Sequence, residues 1–154
     1  MLKVKSFRQT VGNCGPASLK IVLNFFNYQI TEKELVALSG STKEAGVDAE
    51  GLLKTAESLG FSGFIRDFAN FIDLEEYVNK KQIPVIVDWF LKDDGHYSVV
   101  VDIDSENIYL TDPSLGYTRA LRRTDFERVW FDFKGDCLVS KEDLFIRRMI
   151  VIYK

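Results

Sequence analysis

Two residues that could act as nucleophile and base stand at the starts of different predicted elements. Cys14 lies at the predicted N-terminus of the first helix, within Asn13-Cys14-Gly15-Pro16. The positive end of the helix dipole and the unpaired N–H groups of the first turn favour a thiolate there, which is the nucleophilic form of cysteine. His96 is the single histidine of the chain and begins a predicted strand. This pair of residue types can support nucleophilic catalysis assisted by a general base.

Asp112 is the candidate third member of the group, because it ends the next predicted strand, just before Pro113. A hairpin joining the two strands would place its carboxylate beside the imidazole, where it could orient the ring. Each residue also has an ordinary structural interpretation. Cys14 could be an inert buried cysteine, His96 a strand histidine at the surface or with its hydrogen bonds made within the protein, and Asp112 part of an Asp-Pro turn. For Cys137 we adopt the ordinary interpretation and expect an inert, buried side chain.

The hairpin must meet a geometric condition for His96 and Asp112 to share a face of the sheet. Directly opposed residues of antiparallel strands project to the same side, and successive residues alternate. A two-residue turn at Ser105-Glu106 pairs residues whose numbers sum to 211 and would put the two side chains on opposite faces. We therefore predict an odd-numbered loop or a β-bulge, with Asn107 as a candidate left-handed residue.

The elements around these residues change character near residue 83. Capping residues and apolar spacing predict helices over residues 15–27, 31–40, 48–59 and 74–80, the last capped by Asp73, and an extended segment over 61–66. Short runs of β-branched and aromatic residues predict strands over 84–90, 96–103, 108–111, 117–121 and 148–153, with a small helix opened by a capping box at Thr124. This order predicts an α+β fold in which N-terminal helices pack on a C-terminal antiparallel sheet, as one domain over residues 1–154.

Composition excludes several classes of protein. The chain has 154 residues, a formal charge of −3 and 20 aromatic residues without a basic stripe, which argues against a nucleic-acid partner. The longest apolar run, residues 83–91, is far shorter than the ~20 residues of a membrane span, and no secretory signal opens the chain, so we expect a cytoplasmic protein. One histidine and two isolated cysteines cannot form the usual zinc sites, so any metal would rest on carboxylates and no cofactor is expected.

Four motifs in order along the chain resemble a known family. They are Gln9, then Asn13-Cys14-Gly15-x-Ala17-x-Leu19, then Gly95-His96-Tyr97-x-Val99-Val100-Val101, then Asp112-Pro113-x-x-Gly116. Their order and spacing, over residues 9–133, resemble the papain-like cysteine peptidases that process bacteriocin and related leader peptides. These are best known as the N-terminal domains of ABC exporters that cut after a double glycine.

The resemblance implies a papain-like fold and a role for each matched residue. Cys14 would be the nucleophile, His96 the base, Asp112 the group that orients His96, and Gln9 a donor to the oxyanion. Spacing and composition alone do not single out Gln9. The implied activity is hydrolysis of peptide bonds, after Gly-Gly in leader-type peptides, without a metal or cofactor.

Other readings of the same residues stay open. No transporter segment follows Lys154, so we expect a stand-alone member with a separate transporter as a candidate partner. A Cys-dependent acyltransferase acting on glutathione-like thiols is one alternative, and a catalytically idle peptide-binding module is another. The resemblance also implies an apolar groove for a helical stretch of substrate. Four phenylalanines are candidates for it, although core packing is the default for such a set: Phe61, Phe64, Phe68 and Phe71.

Overall fold

The structure is a computed structural model that describes residues 1–154. Its helices are α1 (Cys14–Phe25), α2 (Glu32–Ser39), α3 (Ala49–Ser58), α4 (Phe71–Glu75) and α5 (Arg123–Val129), and a single π-helical turn, Glu76–Lys80, follows α4. Its strands are β1 (Ser62–Arg66), β2 (Val85–Leu91), β3 (Asp94–Ile103), β4 (Asn107–Asp112), β5 (Tyr117–Arg122), β6 (Phe131–Phe133), β7 (Leu144–Ile146) and β8 (Arg148–Tyr153). No helix is long and apolar enough to cross a membrane.

One large antiparallel sheet organises the molecule. Its strand order is β1-β8-β2-β3-β4-β5, and β6 and β7 form a separate two-stranded sheet. Helix α1 packs against β3 and α3 packs against β1, and a cluster of 30 buried apolar residues fills the space between helices and sheet. The expected α+β fold with N-terminal helices on a C-terminal sheet is confirmed.

The helix starts follow the capping residues in two cases and depart from them in two others. Thr31 and Glu34 form the predicted capping box of α2, and Asp48 caps α3 by accepting from the Gly51 N–H at 2.7 Å. The predicted cap at Asp73 is wrong. Asn70 caps α4, so the helix begins three residues earlier, and Asp73 serves as the return partner of that capping box.

The predicted capping box at Thr124 is also wrong. Strand β5 runs directly into α5, whose first residue is Arg123, so Thr124 lies inside the first turn. Arg123 fixes this junction instead, because its N–H donates to the Glu106 carbonyl at 2.8 Å and its guanidinium bonds Glu75 at 3.0 Å. A tertiary contact thus sets the start of the helix.

The hairpin of β3 and β4 contains the predicted bulge. Near its turn the paired residues sum to 211, as in Ile103 with Ile108, but beyond the bulge at Val101 they sum to 210, as in Val99 with Thr111. The expectation for Asn107 is wrong, since its φ is not positive. The Asp104 carboxylate instead accepts from the Asn107 N–H at 2.7 Å and holds the turn.

The four candidate phenylalanines do not line one groove. Phe61 is buried against Phe26 and Tyr28, Phe64 packs on Tyr77, and Phe71 packs on Phe126 and Trp130. Only Phe68 is exposed, at 67%. The expectation for Cys137 is wrong as well, because this thiol is exposed.

Candidate active site

Three of the four predicted site residues line one cleft, and the fourth lies directly behind it. The cleft has a volume of about 610 Å³, and Gln9, Cys14 and His96 are among its lining residues. Asp112 is fully buried and bonds His96 from the side away from solvent. The structure therefore brings together residues that lie up to 103 positions apart in the chain.

Cys14 occupies the first position of α1. It is partly exposed, and because it opens the helix its N–H has no acceptor within the helix. Asn13 stands at the N-cap position, but its side chain makes no capping bond to the N–H groups of the first turn. Gly15 lets this turn pack closely, since a β-carbon there would lie 2.7 Å from a methyl group of Val47 and 3.4 Å from the Tyr97 ring.

The His96 ring is held by contacts on two sides. Its Nε2 bonds Asp112 Oδ1 at 2.6 Å, which leaves Nδ1 as the nitrogen that can exchange a proton with a neighbouring thiol. Trp89 is the direct partner of His96 across β2 and β3, and its ring packs edge-on against the imidazole at 5.8 Å between centroids. The Trp89 indole N–H donates to Ser98 Oγ at 3.1 Å, which fixes the indole in turn.

The charge state of His96 follows from opposing effects. Burial of the ring lowers the pKa of His96, but the hydrogen bond and charge of Asp112 and of Cys14 outweigh burial and raise this pKa to about 9. The ring is therefore an imidazolium at neutral pH.

Asp112 is buried as a carboxylate and needs hydrogen-bond donors to remain charged. Besides His96, its Oδ1 accepts from the Ser114 N–H at 2.9 Å and the Ser114 hydroxyl at 2.7 Å, and Arg119 lies 3.4 Å from Oδ2. Burial raises the pKa of Asp112, but the hydrogen bond and charge of His96 and the bonds from Ser114 outweigh it and lower this pKa below its usual value. Asp112 is thus ionised while His96 is protonated.

Gln9 is anchored to the loop that carries Asp112. Its backbone N–H donates to the Pro113 carbonyl at 2.8 Å, and its side chain is partly buried in the cleft lining. The side-chain Oε1 is buried without a partner, and Nε2 makes only a long contact of 3.4 Å to the Thr10 carbonyl. The amide is therefore free of strong competing bonds within the protein, as a donor to a ligand should be.

Gly12 shapes the segment between Gln9 and Cys14. Its φ is +84°, and a β-carbon would lie 2.7 Å from the Lys43 carbonyl. Only glycine combines this backbone conformation with that close approach. The segment can therefore pack closely against the loop at Lys43, which also lines the cleft.

Sequence reasoning missed several residues that support this site. Ser114 had a usable signal, because an Asp two residues before a serine often accepts from its N–H in a turn. Arg119 opposes Leu110 in the pairing of β4 with β5 and so lies diagonal to Asp112 on the same face, a position that only the strand register reveals. Trp89 is buried, and its contact with His96 depends on the register of β2 and β3.

The described residues contain no group of three or more His, Cys, Asp or Glu side chains arranged to hold a metal ion. The lining of the cleft presents a sulfur, an imidazole, carboxyl groups and an amide.

Comparison with solved structures gives the same fold. The peptidase domain of Streptococcus ComA, a bifunctional ABC transporter involved in a quorum-sensing pathway, matches with a TM-score of 0.74 and 21% identity over 97% of both chains. A double-glycine-motif protease from an AMS/PCAT transporter, solved in complex with the leader peptide, matches with a TM-score of 0.71 and 20% identity over 99% of this chain and 92% of that one. The papain-like fold is thereby confirmed.

Comparison of sequences adds nearer relatives. An uncharacterised protein of Methanothermobacter marburgensis is 34% identical over 137 residues, which cover 88% of this chain and 87% of the relative. The lactococcin-G-processing and transport ATP-binding protein LagD of Lactococcus lactis subsp. lactis is 30% identical over 80% of this chain and 17% of that longer protein. The sequence model of the Peptidase C39 family matches residues 3–134, and this chain belongs to that family.

Proposed function

We propose that residues 1–154 form one peptidase domain that hydrolyses peptide bonds with Cys14 as nucleophile. Membership of the Peptidase C39 family supports a cysteine peptidase in general terms. The observation that carries the specific proposal is the 2.6 Å bond between His96 and a fully buried Asp112, in a cleft that also contains Cys14 and Gln9. His96 acts as acid and base, and Asp112 orients it.

The first half of the reaction forms an acyl-enzyme. The Cys14 thiolate attacks the peptide carbonyl, and the oxyanion receives hydrogen bonds from the Cys14 N–H and the Gln9 amide. His96 then gives its Nδ1 proton to the leaving amine, and collapse of the tetrahedral intermediate leaves a thioester on Cys14. Asp112 keeps the other ring nitrogen bonded throughout.

The second half regenerates the enzyme. His96, now neutral, takes a proton from water through the same nitrogen, and the resulting hydroxide attacks the thioester. The carboxylic acid product leaves, and the sulfur returns to its thiolate beside the reprotonated imidazole. Atoms balance to one water consumed for each peptide bond broken.

Leader-type peptides cut after Gly-Gly are the substrate class we propose. This choice rests on the relatives, since one solved neighbour is a double-glycine-motif protease in complex with a leader peptide and LagD processes lactococcin G. A transporter is the partner that fits such a substrate, because both of these relatives are described as belonging to transporters.

The direct test is incubation with a Gly-Gly leader peptide, followed by intact-mass spectrometry and product analysis. We expect a peptide acyl adduct on Cys14 and cleavage at the glycine carbonyl. The Cys14→Ala variant should give neither, whereas Cys137→Ser should give both, because the exposed Cys137 belongs to no part of the site.

Two outcomes would overturn the proposal. Equal alkylation of Cys14 and Cys137 in the native protein at mildly acidic pH, together with no adduct, would favour an idle peptide-binding module. Transfer of the acyl group to an added thiol without net hydrolysis would favour an acyltransferase.

A further inference from the structure

Carboxylates without cationic partners surround one end of the cleft. Asp88, Asp94, Asp132 and Asp136 line the cleft that contains Cys14. A second cavity of about 300 Å³ shares the last three, adds Asp93, and has no lysine or arginine in its lining. None of these five residues takes part in a salt bridge, although ten salt bridges occur elsewhere in the protein.

Asp88 is the one residue of the five that has a buried side-chain oxygen without a hydrogen-bond partner. It lies on β2 in register with Tyr97 on β3 and Arg148 on β8, and only 2% of its surface is exposed. Its Oδ1 is buried without a hydrogen-bond partner, although the residue lines the cleft. A buried polar atom in this state costs free energy unless a ligand supplies the missing partner.

The nearest cation, Arg148, does not supply the missing hydrogen bond to Asp88. The Arg148 guanidinium is used by Asp67, which accepts from Nε at 2.7 Å and from the terminal nitrogen at 3.0 Å. Lys43, Lys134 and the His96 imidazolium also line the cleft, and none of the three forms a salt bridge with Asp88, Asp94, Asp132 or Asp136. These four carboxyl groups therefore have no ion-pair partner within the protein.

Asp132 lies beside Asp88 and forms a carboxyl pair with it. Burial and the neighbouring Asp132 raise the pKa of Asp88 well above its usual value. The Asp132 carboxylate rests on Gly95, next to His96, where any β-carbon would overlap it. Its hydrogen-bond donor within the protein is the Phe133 N–H, at 2.7 Å.

We propose that the carboxyl pair (Asp88 and Asp132), with Asp94 and Asp136 beside it, is a subsite for a cationic side chain of the peptide substrate. The inference rests on the proposed peptidase function and adds a specificity determinant to it. A lysine ammonium or arginine guanidinium near the scissile bond would donate to the carboxyl oxygens of this subsite, among them the Asp88 oxygen that has no partner within the protein. The close contact of Asp132 with Gly95 keeps this subsite beside His96.

The test uses charged reagents that modify Cys14 without any peptide turnover. Cationic, neutral and anionic methanethiosulfonates are compared in the Cys137→Ser background, which removes the exposed thiol. We expect the cationic reagent to react roughly tenfold or more faster than the anionic one. The double variant Asp88→Asn with Asp132→Asn should lose most of this ratio, and the exposed-site control Asp125→Asn should keep it.

The double variant is informative because either carboxyl group alone can carry the charge of the pair. The neutral reagent checks that Cys14 remains accessible and reactive in every variant. A cation-to-anion ratio in the double variant equal to that of the Cys137→Ser background would overturn the subsite. Such a result would leave the peptidase proposal untouched, because Cys14 reactivity is measured separately.

A second measurement examines the substrate directly. Quenched fluorescent peptides keep Gly-Gly before the scissile bond and carry lysine, norleucine or glutamate at the third position before that bond or at one of the three positions after it. We expect lysine to raise kcat/KM over norleucine by about tenfold at one position, and the double variant to remove that difference. Equal kcat/KM for lysine and norleucine at all four positions would overturn the proposal.

Discussion

His96 is the residue whose protonation the fold controls most clearly, and its pKa can be measured without ambiguity. The chain has a single histidine, so one pair of imidazole resonances reports it. We expect an NMR titration to give a pKa of about 9, because Asp112 and Cys14 together outweigh burial. Asp112→Asn should lower this pKa, since an amide oxygen still accepts a hydrogen bond but carries no charge. A wild-type pKa at the ordinary value of 6.5 would contradict the geometry described above.

The same shift predicts a pH dependence of stability. The folded-state pKa of His96 lies above the unfolded value, so its contribution is complete below about pH 6.5 and is lost as pH rises through about 9. The full shift corresponds to at most about 3 kcal/mol of unfolding free energy. Urea unfolding at intervals between pH 6 and pH 10 should show this decline, and it should be smaller in His96→Gln. A wild-type stability that rises over this range would rule the mechanism out.

Substitution of Gln9 tests stabilisation of the oxyanion separately from activation of the nucleophile. Its amide lacks strong partners in the protein, and the Pro113 carbonyl anchors only its backbone. We expect Gln9→Ala to lower single-turnover acylation roughly 10²- to 10³-fold, the usual loss for one donor to an oxyanion. Alkylation of Cys14 by iodoacetamide should stay within a factor of about two, because no oxyanion forms in that reaction. Unchanged acylation would remove Gln9 from the site while leaving the other three residues in place.

The site residues differ in how far the sequence could predict them. Cys14 and His96 could be chosen from residue type and element position, and Asp112 from its place at the end of the next strand. Gln9 depended on the family resemblance, because an isolated glutamine in a loop has no periodic signal. The carboxyl pair escaped prediction for a different reason, since Asp132 meets Asp88 only through the packing of β6 over β2.

The β-bulge at Val101 is the feature of the hairpin that places His96 and Asp112 on the same face of the sheet. His96 and Asp112 can share a face of the sheet only if the hairpin contains one extra residue between them. The sequence did not show whether the turn or a strand would contain that residue. The turn is a two-residue type stabilised by the Asp104 side chain, so the extra residue falls within β3. The Val101 carbonyl accepts from the Leu2 N–H at 2.9 Å, which shows that the N-terminal segment uses a group freed near the bulge. Such a long-range contact has no local signature.

Two exposed threonines at helix starts provide a matched test of capping. Thr31 accepts from the Glu34 N–H at 3.1 Å within a complete capping box, whereas Thr124 lies inside the first turn of α5 and makes no capping bond. We expect Thr31→Ala to lower the free energy of unfolding by about 1 kcal/mol and Thr124→Ala to change it by less than about 0.5 kcal/mol. Urea unfolding of both variants provides the measurement, and equal losses would contradict the assignment of the two helix starts.

Most of the large sheet was predictable, because its strands carry runs of β-branched residues bounded by turn chemistry. Strands β6 and β7 were not, since each has three residues and its pairing depends on tertiary contacts. Phe90 of β2 stacks on Phe131 and Phe133 of β6, at 5.3 Å between centroids in both cases, and this aromatic contact holds the small sheet against the large one. The missed strands therefore complete the cleft wall that carries Asp132.

Recognition of a leader helix is the property that depends on the molecule as a whole. The four phenylalanines suggested by their spacing are mostly in the core, so any helical stretch of substrate must bind elsewhere on the surface. For the proposed substrate class, contacts remote from the cut contribute to kcat/KM, because binding energy far from the reacting bond helps to position that bond. We expect a peptide with an amphipathic helix before Gly-Gly to be cut at least about tenfold more efficiently than a matched peptide with serine at its apolar positions. Steady-state kinetics on the two peptides provides the measurement, with circular dichroism to compare their helix content. Equal kcat/KM would exclude leader recognition and would still leave the Cys14 peptidase chemistry to be judged by the acyl adduct.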